Sequence, residues 1–296
     1  MMPTRNRHNL PQMALAIELS GRAGSVALGR IEPGRQSPIT TQTEHIRKRT
    51  RHSDDLMPAI QRLFDASNLD TGHLDHIYVS IGPGGFTGLR VATATAKMLA
   101  YALSCTVFAI PTAEVIAAAT PGRSVTHSDR QATHQEPVRP SILAVCLARK
   151  RGHYWTQCFC HGPTAPGSPD GGWQPIVTEE GKILNIDQIA SLEGLTDLAI
   201  DMLPAADPPP QTTCRHWDTL EAKDDQALAR RCADIDDTIV IHRAQPTAHH
   251  CWLLGRLIAG SARADTYQVN PQQLIPLYPR EPEAVTLWQK RKQDTN

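Results

Sequence analysis

The sequence predicts an α/β protein built from two similar halves, each of which opens on a β-hairpin. Residues 13–20 alternate large apolar side chains with small ones, residues 21–24 form a turn, and residues 25–31 return as a second strand. The arrangement recurs at 141–148 and 153–161, about 128 residues further on. Such a repeat indicates two copies of one architecture.

The first half continues with alternating strands and helices. Ser53 is a suitable cap for a helix with Asp54 and Asp55 in its first turn, and Pro58 predicts a slight bend in that helix. The remaining predicted elements are an edge strand at 36–45, strands at 76–81 and 106–110, a helix at 88–104, and a helix after residue 112.

The second half is predicted with more loops. We expect strands at 197–202 and 238–242 and a helix capped by Thr247 that runs to about Ile258. Glycine and proline predict loops at 162–175 and 203–215, an extended tail at 271–282, and a last helix at 282–292 that packs back. The predicted domain plan is a disordered arm at 1–12, one domain at 13–120, a flexible insertion at 121–140, and a second domain at 141–296.

Composition limits the function. The chain has 30 basic and 30 acidic residues and a pI near 7.2. A protein that grips nucleic acid by itself usually carries a basic excess, so RNA or DNA as a sole, direct ligand is disfavoured despite the basic run at 47–51. The seven cysteines include no Cys-x-x-Cys, and the thirteen histidines lack metal-binding spacing. No apolar run approaches the ~20 residues that span a bilayer. We expect a cytoplasmic protein with reduced thiols and no metal.

A glycine-dense turn joins the strand at 76–81 to the helix that follows. Its candidate residues are Gly82, Pro83, Gly84, Gly85, Thr87, Gly88 and Arg90. This composition predicts tight backbone geometry and a close approach of the backbone to something. Two interpretations stand side by side: an anion or phosphate bound at the helix N-terminus, or a tight strand-to-helix corner. The turn matches neither a Walker loop nor the G-x-G-x-x-G fingerprint.

In order along the chain, these features resemble the TsaB (YeaZ) family. The resemblance is carried by residues 14–20, 52–58, 82–90 and 94–97, with further support from 148–150 and 277–280. It covers the first half more closely than the second. It implies a duplicated, actin-like (ASKHA) fold of the RNase H type, with two domains that each contain a mixed sheet and helices.

The resemblance also implies a function. TsaB proteins are non-catalytic partners of TsaD in forming N6-threonylcarbamoyladenosine at position 37 of tRNAs. It implies a TsaD-like catalytic partner, a TsaE-like ATPase, a homodimer when the chain is alone, and tRNA contact only through the complex. No cofactor is expected in this subunit alone, and any ATP binding is left to the assembled complex.

Three positions bear on catalysis. The histidines that hold the metal in TsaD would fall at Thr112 and Ile116, which cannot ligate a metal as imidazole does. The family's Asp-Thr-Ser at the end of the first strand is Glu18-Leu19-Ser20 here, and its Asp-Ala-Arg in the second half is Leu147-Ala148-Arg149. These departures favour a partner role over catalysis.

The resemblance places the partner interface on the two helices that flank the glycine turn. We expect Ala96→Arg to abolish association without changing the fold. The predicted interface residues are His52, Ser53, Leu56, Met57, Ile60, Phe64, Ala92, Ala96, Met98, Ala100 and Tyr101.

Two alternatives remain open. An active actin-like ATPase or small kinase would use the glycine turn for phosphate and Glu18 near the metal, and binding of ATP with magnesium by the lone chain would favour it. A protease is disfavoured because no Ser-His-Asp or His-Glu-x-x-His arrangement is visible. Ser53 beside His52 is better explained as a helix cap.

Overall fold

The computed structural model describes most of the chain. The described residues are 12–21, 23–31, 41–46, 52–69, 71–121, 141–162, 172–176, 180–201 and 223–279. The predicted arm at 1–12, apart from Gln12, the insertion at 121–140, apart from residue 121, the loop at 203–215 and the helix at 282–292 lie outside them. No helix in these ranges has the length and apolar character needed to cross a membrane.

The first half forms a mixed sheet covered by helices. The bounds of its elements are β1 Gln12–Glu18, β2 Ser25–Ile31, β3 Thr41–His45, α1 His52–Ser67, β4 Leu74–Gly82, α2 Phe86–Leu103, β5 Thr106–Pro111, α3 Thr112–Ala119 and, from later in the chain, β12 Gln268–Val269. The six described strands lie in the order β12-β5-β4-β1-β2-β3. Strand β1 pairs antiparallel with β2 and parallel with β4, so the predicted hairpin is confirmed.

The second half forms another mixed sheet. The bounds of its elements are β6 Ile142–Lys150, β7 His153–Gly162, β8 Gly172–Pro175, β9 Lys182–Asn185, α4 Ile186–Ala190, β10 Leu195–Asp201, α5 Lys223–Ile235, β11 Val240–Ala244, α6 Ala248–Ala259 and α7 Ala264–Tyr267. The strand order is β11-β10-β6-β7-β8, with β6 antiparallel to β7 and parallel to β10, as β1 is to β2 and β4. The predicted duplication is therefore confirmed.

Alternation along β1 decides which helix covers each face of the first sheet. The large side chains of Met13, Leu15 and Ile17 share a core with α1 and α2. The small side chains of Ala14 and Ala16 face α6, whose buried tryptophan ring needs the space that they leave. Helices α1 and α2 consequently lie on one face of this sheet, and α6 lies on the other.

Some local predictions were wrong. Helix α1 begins at His52 and includes Ser53, so Ser53 does not stand before the helix as its cap. Residues 172–175, predicted as loop, pair with β7 as β8 because backbone pairing overrides their turn-like composition. The helix after Thr247 was predicted correctly, since the Thr247 hydroxyl accepts a hydrogen bond from the His250 amide. Helix α6 nevertheless packs on the first sheet, although it follows the second along the chain.

Candidate docking surface and glycine corner

The glycine corner, residues 82–88, turns the chain from β4 into α2. Gly82 has a φ of +112°, a conformation that favours glycine, and precedes Pro83 through a cis peptide bond. A Cβ on Gly84 would lie 2.5 Å from the carbonyl oxygen of Ser20, and the Gly85 amide donates to the same oxygen at 2.6 Å. The corner is thus built against Ser20, which follows two residues after the end of β1.

A C-terminal strap, residues 274–279, contacts the same corner. The Leu277 amide donates to the Ile81 carbonyl oxygen at 2.7 Å, and a Cβ on Gly82 would lie 2.7 Å from the Leu277 carbonyl oxygen. The close approach that the glycines permit is therefore to this chain's own backbone. Of the two interpretations of the turn, this geometry favours the tight corner.

Three large side chains cluster where the corner leads into α2: Phe86 and Arg90 from the helix and Tyr278 from the strap. The Arg90 guanidinium carbon lies 3.8 Å from the centroid of the Phe86 ring, and Arg90 Nε donates to the Tyr278 hydroxyl at 3.2 Å. The Phe86 and Tyr278 rings are 4.9 Å apart. Thr87 and Arg90 are exposed, whereas Gly88 is buried. The strap therefore fixes the orientation of a cationic side chain at the surface.

Glu18 lies at the end of β1 and is fully buried. Its Oε1 accepts hydrogen bonds from the Ser20 amide at 2.6 Å and from the Ser20 hydroxyl, while Oε2 has no hydrogen-bond partner in the described part of the chain. Nearby, Ser80 and Thr112 hydrogen-bond to each other at 2.7 Å. Burial raises the pKa of Glu18, and the bonds from Ser20 oppose this only in part. The raised pKa favours the protonated form of this carboxyl group.

The burial of Glu18 leads to a prediction of how the protein's stability depends on pH. Because the folded-state pKa of Glu18 is raised, the carboxyl takes up a proton on folding, and stability falls as pH rises from its ordinary pKa towards the raised one. Glu18→Gln mimics the protonated form and should be more stable than the parent at about pH 8 and nearly equal to it at about pH 4, below the ordinary pKa. Urea unfolding at both pH values measures this. The exposed-site control Glu193→Gln should show no such divergence, and equal behaviour of the two variants would contradict the prediction.

The inward faces of α1 and α2 account for six of the predicted interface residues. All six are at most 4% exposed and belong to the core shared with the first sheet: Leu56, Ile60, Phe64, Ala92, Ala96 and Ala100. Their placement in a docking surface was wrong, because helical spacing of apolar residues reports the core-facing side first. Ala96→Arg would accordingly disturb the fold, contrary to the expectation from the sequence.

The outward faces of the same helices carry the exposed apolar residues. Met57 is 46% exposed, Met98 66% and Tyr101 60%. Met98 and Tyr101 share a stripe of α2 with the exposed residues Arg90 and Ala94, at i, i+4, i+8 and i+11. We call this stripe together with Met57 the outer face. The side chains of His52 and Ser53 lie outside the described residues.

Three residues of this region were not among the predicted site residues: Phe86, Ala94 and Tyr278. Ala94 could have been found, since it lies four residues before Met98 on the same side of a helix. The hydrogen bond between Arg90 and Tyr278 joins positions 188 residues apart in the sequence. Local spacing carries no signal for such a contact.

The positions that bear on metal chemistry lie in α3. Thr112 and Ile116 are both buried, the first in a hydrogen bond to Ser80 and the second in the core between α3 and the second sheet. Neither side chain supplies an imidazole. The described residues contain no group of three or more histidine, cysteine or acidic side chains placed to hold a metal ion.

The position of the family's Asp-Ala-Arg forms an irregularity in β6. Ala148 has a φ of +49°, and the pairing register with β7 shifts between Leu147 and Lys150. Arg149 Nη1 lies 2.6 Å from Asp225 Oδ2, and the Tyr154 hydroxyl donates to Asp225 Oδ1 at 2.7 Å. Arg149 thus ties β6 to α5 and stabilises a buried carboxylate.

Comparisons with known proteins agree with this geometry. A family model described as "TsaD: tRNA N6-adenosine threonylcarbamoyltransferase" matches residues 44–144. The protein "tRNA threonylcarbamoyladenosine biosynthesis protein TsaB" of Bacillus subtilis (strain 168) is 32% identical over 104 residues, which are 35% of this chain and 43% of that protein. The protein of the same name from Buchnera aphidicola subsp. Acyrthosiphon pisum (strain APS) is 22% identical over 148 residues, 50% of this chain and 58% of that protein. The chain therefore matches about half the length of these curated relatives.

A solved structure extends the likeness over the fold. An uncharacterized protein with similarity to peptidase YEAZ from Pseudomonas aeruginosa has a TM-score of 0.57 and 18% identity, and the match covers 91% of this chain and 100% of that one. The duplicated sheets and their helices define an α/β protein with two mixed sheets. The chain is therefore similar in sequence to TsaB proteins over part of their length, and it is similar in fold to this YEAZ-like structure.

Proposed function

We propose that this chain is a non-catalytic partner subunit that supports a TsaD-type threonylcarbamoyltransferase in forming N6-threonylcarbamoyladenosine at position 37 of tRNAs. The observation that carries the proposal is the outer face, where Met57, Met98 and Tyr101 expose apolar surface on helices already packed on their other side. Exposed large apolar side chains that share one face are typical of interaction sites. The sequence relatives indicate which partner to test.

The proposal includes the assembly. Alone, the chain forms a homodimer through the outer face and exchanges it for the catalytic partner. A TsaE-like ATPase joins the complex, tRNA is contacted only through the complex, and this subunit needs no cofactor by itself. Any ATP binding belongs to the assembled complex, in the cytoplasm.

The alternative of an ATPase or small kinase rests on Glu18 and the glycine corner. Glu18 is buried and hydrogen-bonded to Ser20, and the corner closes on Ser20 and Leu277. No feature of the described site favours this alternative over the partner role. Calorimetry of the lone chain with ATP and magnesium tests it, and micromolar binding would favour it.

The partner role is tested by placing a charge on the outer face. Met98→Arg should weaken binding to the purified TsaD-type partner by about tenfold or more, because a charge there stays unpaired on association. Binding is measured by isothermal titration calorimetry. Leu257→Arg is the matched control, since Leu257 is equally exposed at 66% but lies on α6, across the sheet. Equal affinity of both variants and the parent would contradict the proposed surface.

A further inference from the structure

The part of the outer face that lies on α2 has a cationic residue, Arg90, at its N-terminal end. Arg90 begins the exposed stripe that continues through Ala94 and Met98 to Tyr101. At 1.5 Å per residue, the stripe runs for about 16 Å along the helix axis. A stripe of this length is long enough for a contact with another helix. Its side chains are apolar over most of that length, and one charged group lies at the N-terminal end.

The Arg90 guanidinium is held in place. It stacks on Phe86 at 3.8 Å, and its Nε–H donates to the Tyr278 hydroxyl at 3.2 Å. Tyr278 accepts a hydrogen bond only from the Nε–H of Arg90. The two Nη groups, whose spacing suits a carboxylate, are therefore not used by Tyr278. A side chain fixed in this way loses less conformational entropy when it binds than a mobile one does.

The surroundings of Arg90 supply no described counter-charge. The first turn of α2 contains no acidic residue, and none of the described carboxylates forms an ion pair with Arg90. The N-terminal end of a helix is electropositive, so a cation close to it gains from an anion brought by a partner. Arginine beside aromatic rings is also the composition that dominates binding energy at protein interfaces.

We propose that Arg90 is the charged anchor of the outer face and pairs with a carboxylate on a helix of the partner protein. This inference rests on the proposed function and adds the chemistry that the partner must present. Phe86 and Tyr278 are positioning residues in this arrangement, since they orient the guanidinium. The apolar stripe from Ala94 to Tyr101 sets the contact area, and Arg90 sets its polarity and register.

The test measures partner affinity as a function of salt. Arg90→Met keeps the side chain's length and apolar body, and it should weaken binding by about tenfold while flattening the dependence on sodium chloride. Arg90→Lys keeps the charge but loses the fork, so it should retain the salt dependence with a smaller loss. Tyr278→Phe should weaken binding less than Arg90→Met does. Circular dichroism checks that each variant is folded, as expected for an exposed site.

Each contrary outcome has its own meaning. Unchanged affinity of Arg90→Met beside the loss in Met98→Arg overturns the anchor and leaves the proposed partner role intact. A loss in Arg90→Met with the parent's salt dependence assigns Arg90 to packing and likewise overturns the pairing. Dissociation of the homodimer alone, seen by analytical ultracentrifugation with unchanged partner affinity, shows that the occupant is a second copy. If neither Arg90→Met nor Met98→Arg changes affinity, the outer face itself is wrong.

Discussion

Ala96→Arg is expected to unfold this protein or to lower its melting temperature by about 10 °C or more. Ala96 is fully buried in the core between α2 and the first sheet. Forcing a long side chain into a packed core costs about 1–3 kcal/mol, and an unpaired buried charge adds several more. The sum is a large part of the ~5–15 kcal/mol by which a typical domain is stable. Differential scanning fluorimetry and far-ultraviolet circular dichroism measure the loss.

The matched variant is Ala94→Arg, two residues earlier on the same helix. Ala94 is exposed, and arginine is a good helix former, so the fold should be unchanged while association with the partner weakens. The pair therefore separates the two sides of α2: one substitution affects folding and the other affects association. A native melting temperature for Ala96→Arg would show that this side of the helix is not in the core.

How far the sequence predicts this architecture is clear from β1. Its alternation of large and small side chains shows both that it is a strand and that its two faces meet different neighbours. The sequence does not show which helices cover those faces. That α6 returns to the first sheet depends on contacts such as that between Trp252 Nε1 and the Ala14 carbonyl oxygen, which are 238 residues apart. No local pattern encodes such a pairing.

The elements that carry the candidate site were predictable from the sequence, but the orientation of their side chains was not. The glycine turn and the two helices beside it were found from spacing and composition. The direction of their apolar stripes was not, because a core face and an interface share the same helical period. Ala96 and Met98 illustrate this: both looked suitable for an interface, and only the burial of one and the exposure of the other separate them.

Helix α6 is joined to the first sheet by close backbone approaches. A Cβ on Gly29 would lie 2.7 Å from the Trp252 ring, and a Cβ on Gly255 would lie 2.3 Å from Tyr78 Cγ. Both rings are fully buried. A glycine at each place lets an aromatic ring occupy the volume of the missing side chain, which is how a helix from the end of the chain comes to lie flat on this sheet.

Gly255→Ala should therefore destabilise the protein by about 1–3 kcal/mol, the cost of overpacking. The added methyl group would lie 2.3–2.6 Å from three atoms of the Tyr78 ring. That ring has little room to move, because His76 stacks near it at 6.2 Å and Phe108 meets its edge at 5.6 Å. The direction of this change in stability is informative, because replacing glycine by alanine inside a helix normally stabilises a protein by about 1 kcal/mol.

Gly260→Ala provides the control at the end of the same helix. Gly260 has a φ of −90°, and the nearest atom to its added Cβ would be 3.6 Å away, so alanine fits without strain. Guanidinium unfolding should give a lower midpoint for Gly255→Ala and an unchanged or higher one for Gly260→Ala. If alanine at position 255 is neutral, the ring of Tyr78 can yield, and the packing of α6 against the first sheet is looser than these distances imply. Destabilisation confined to position 255 shows instead that this contact fixes α6 on the first sheet.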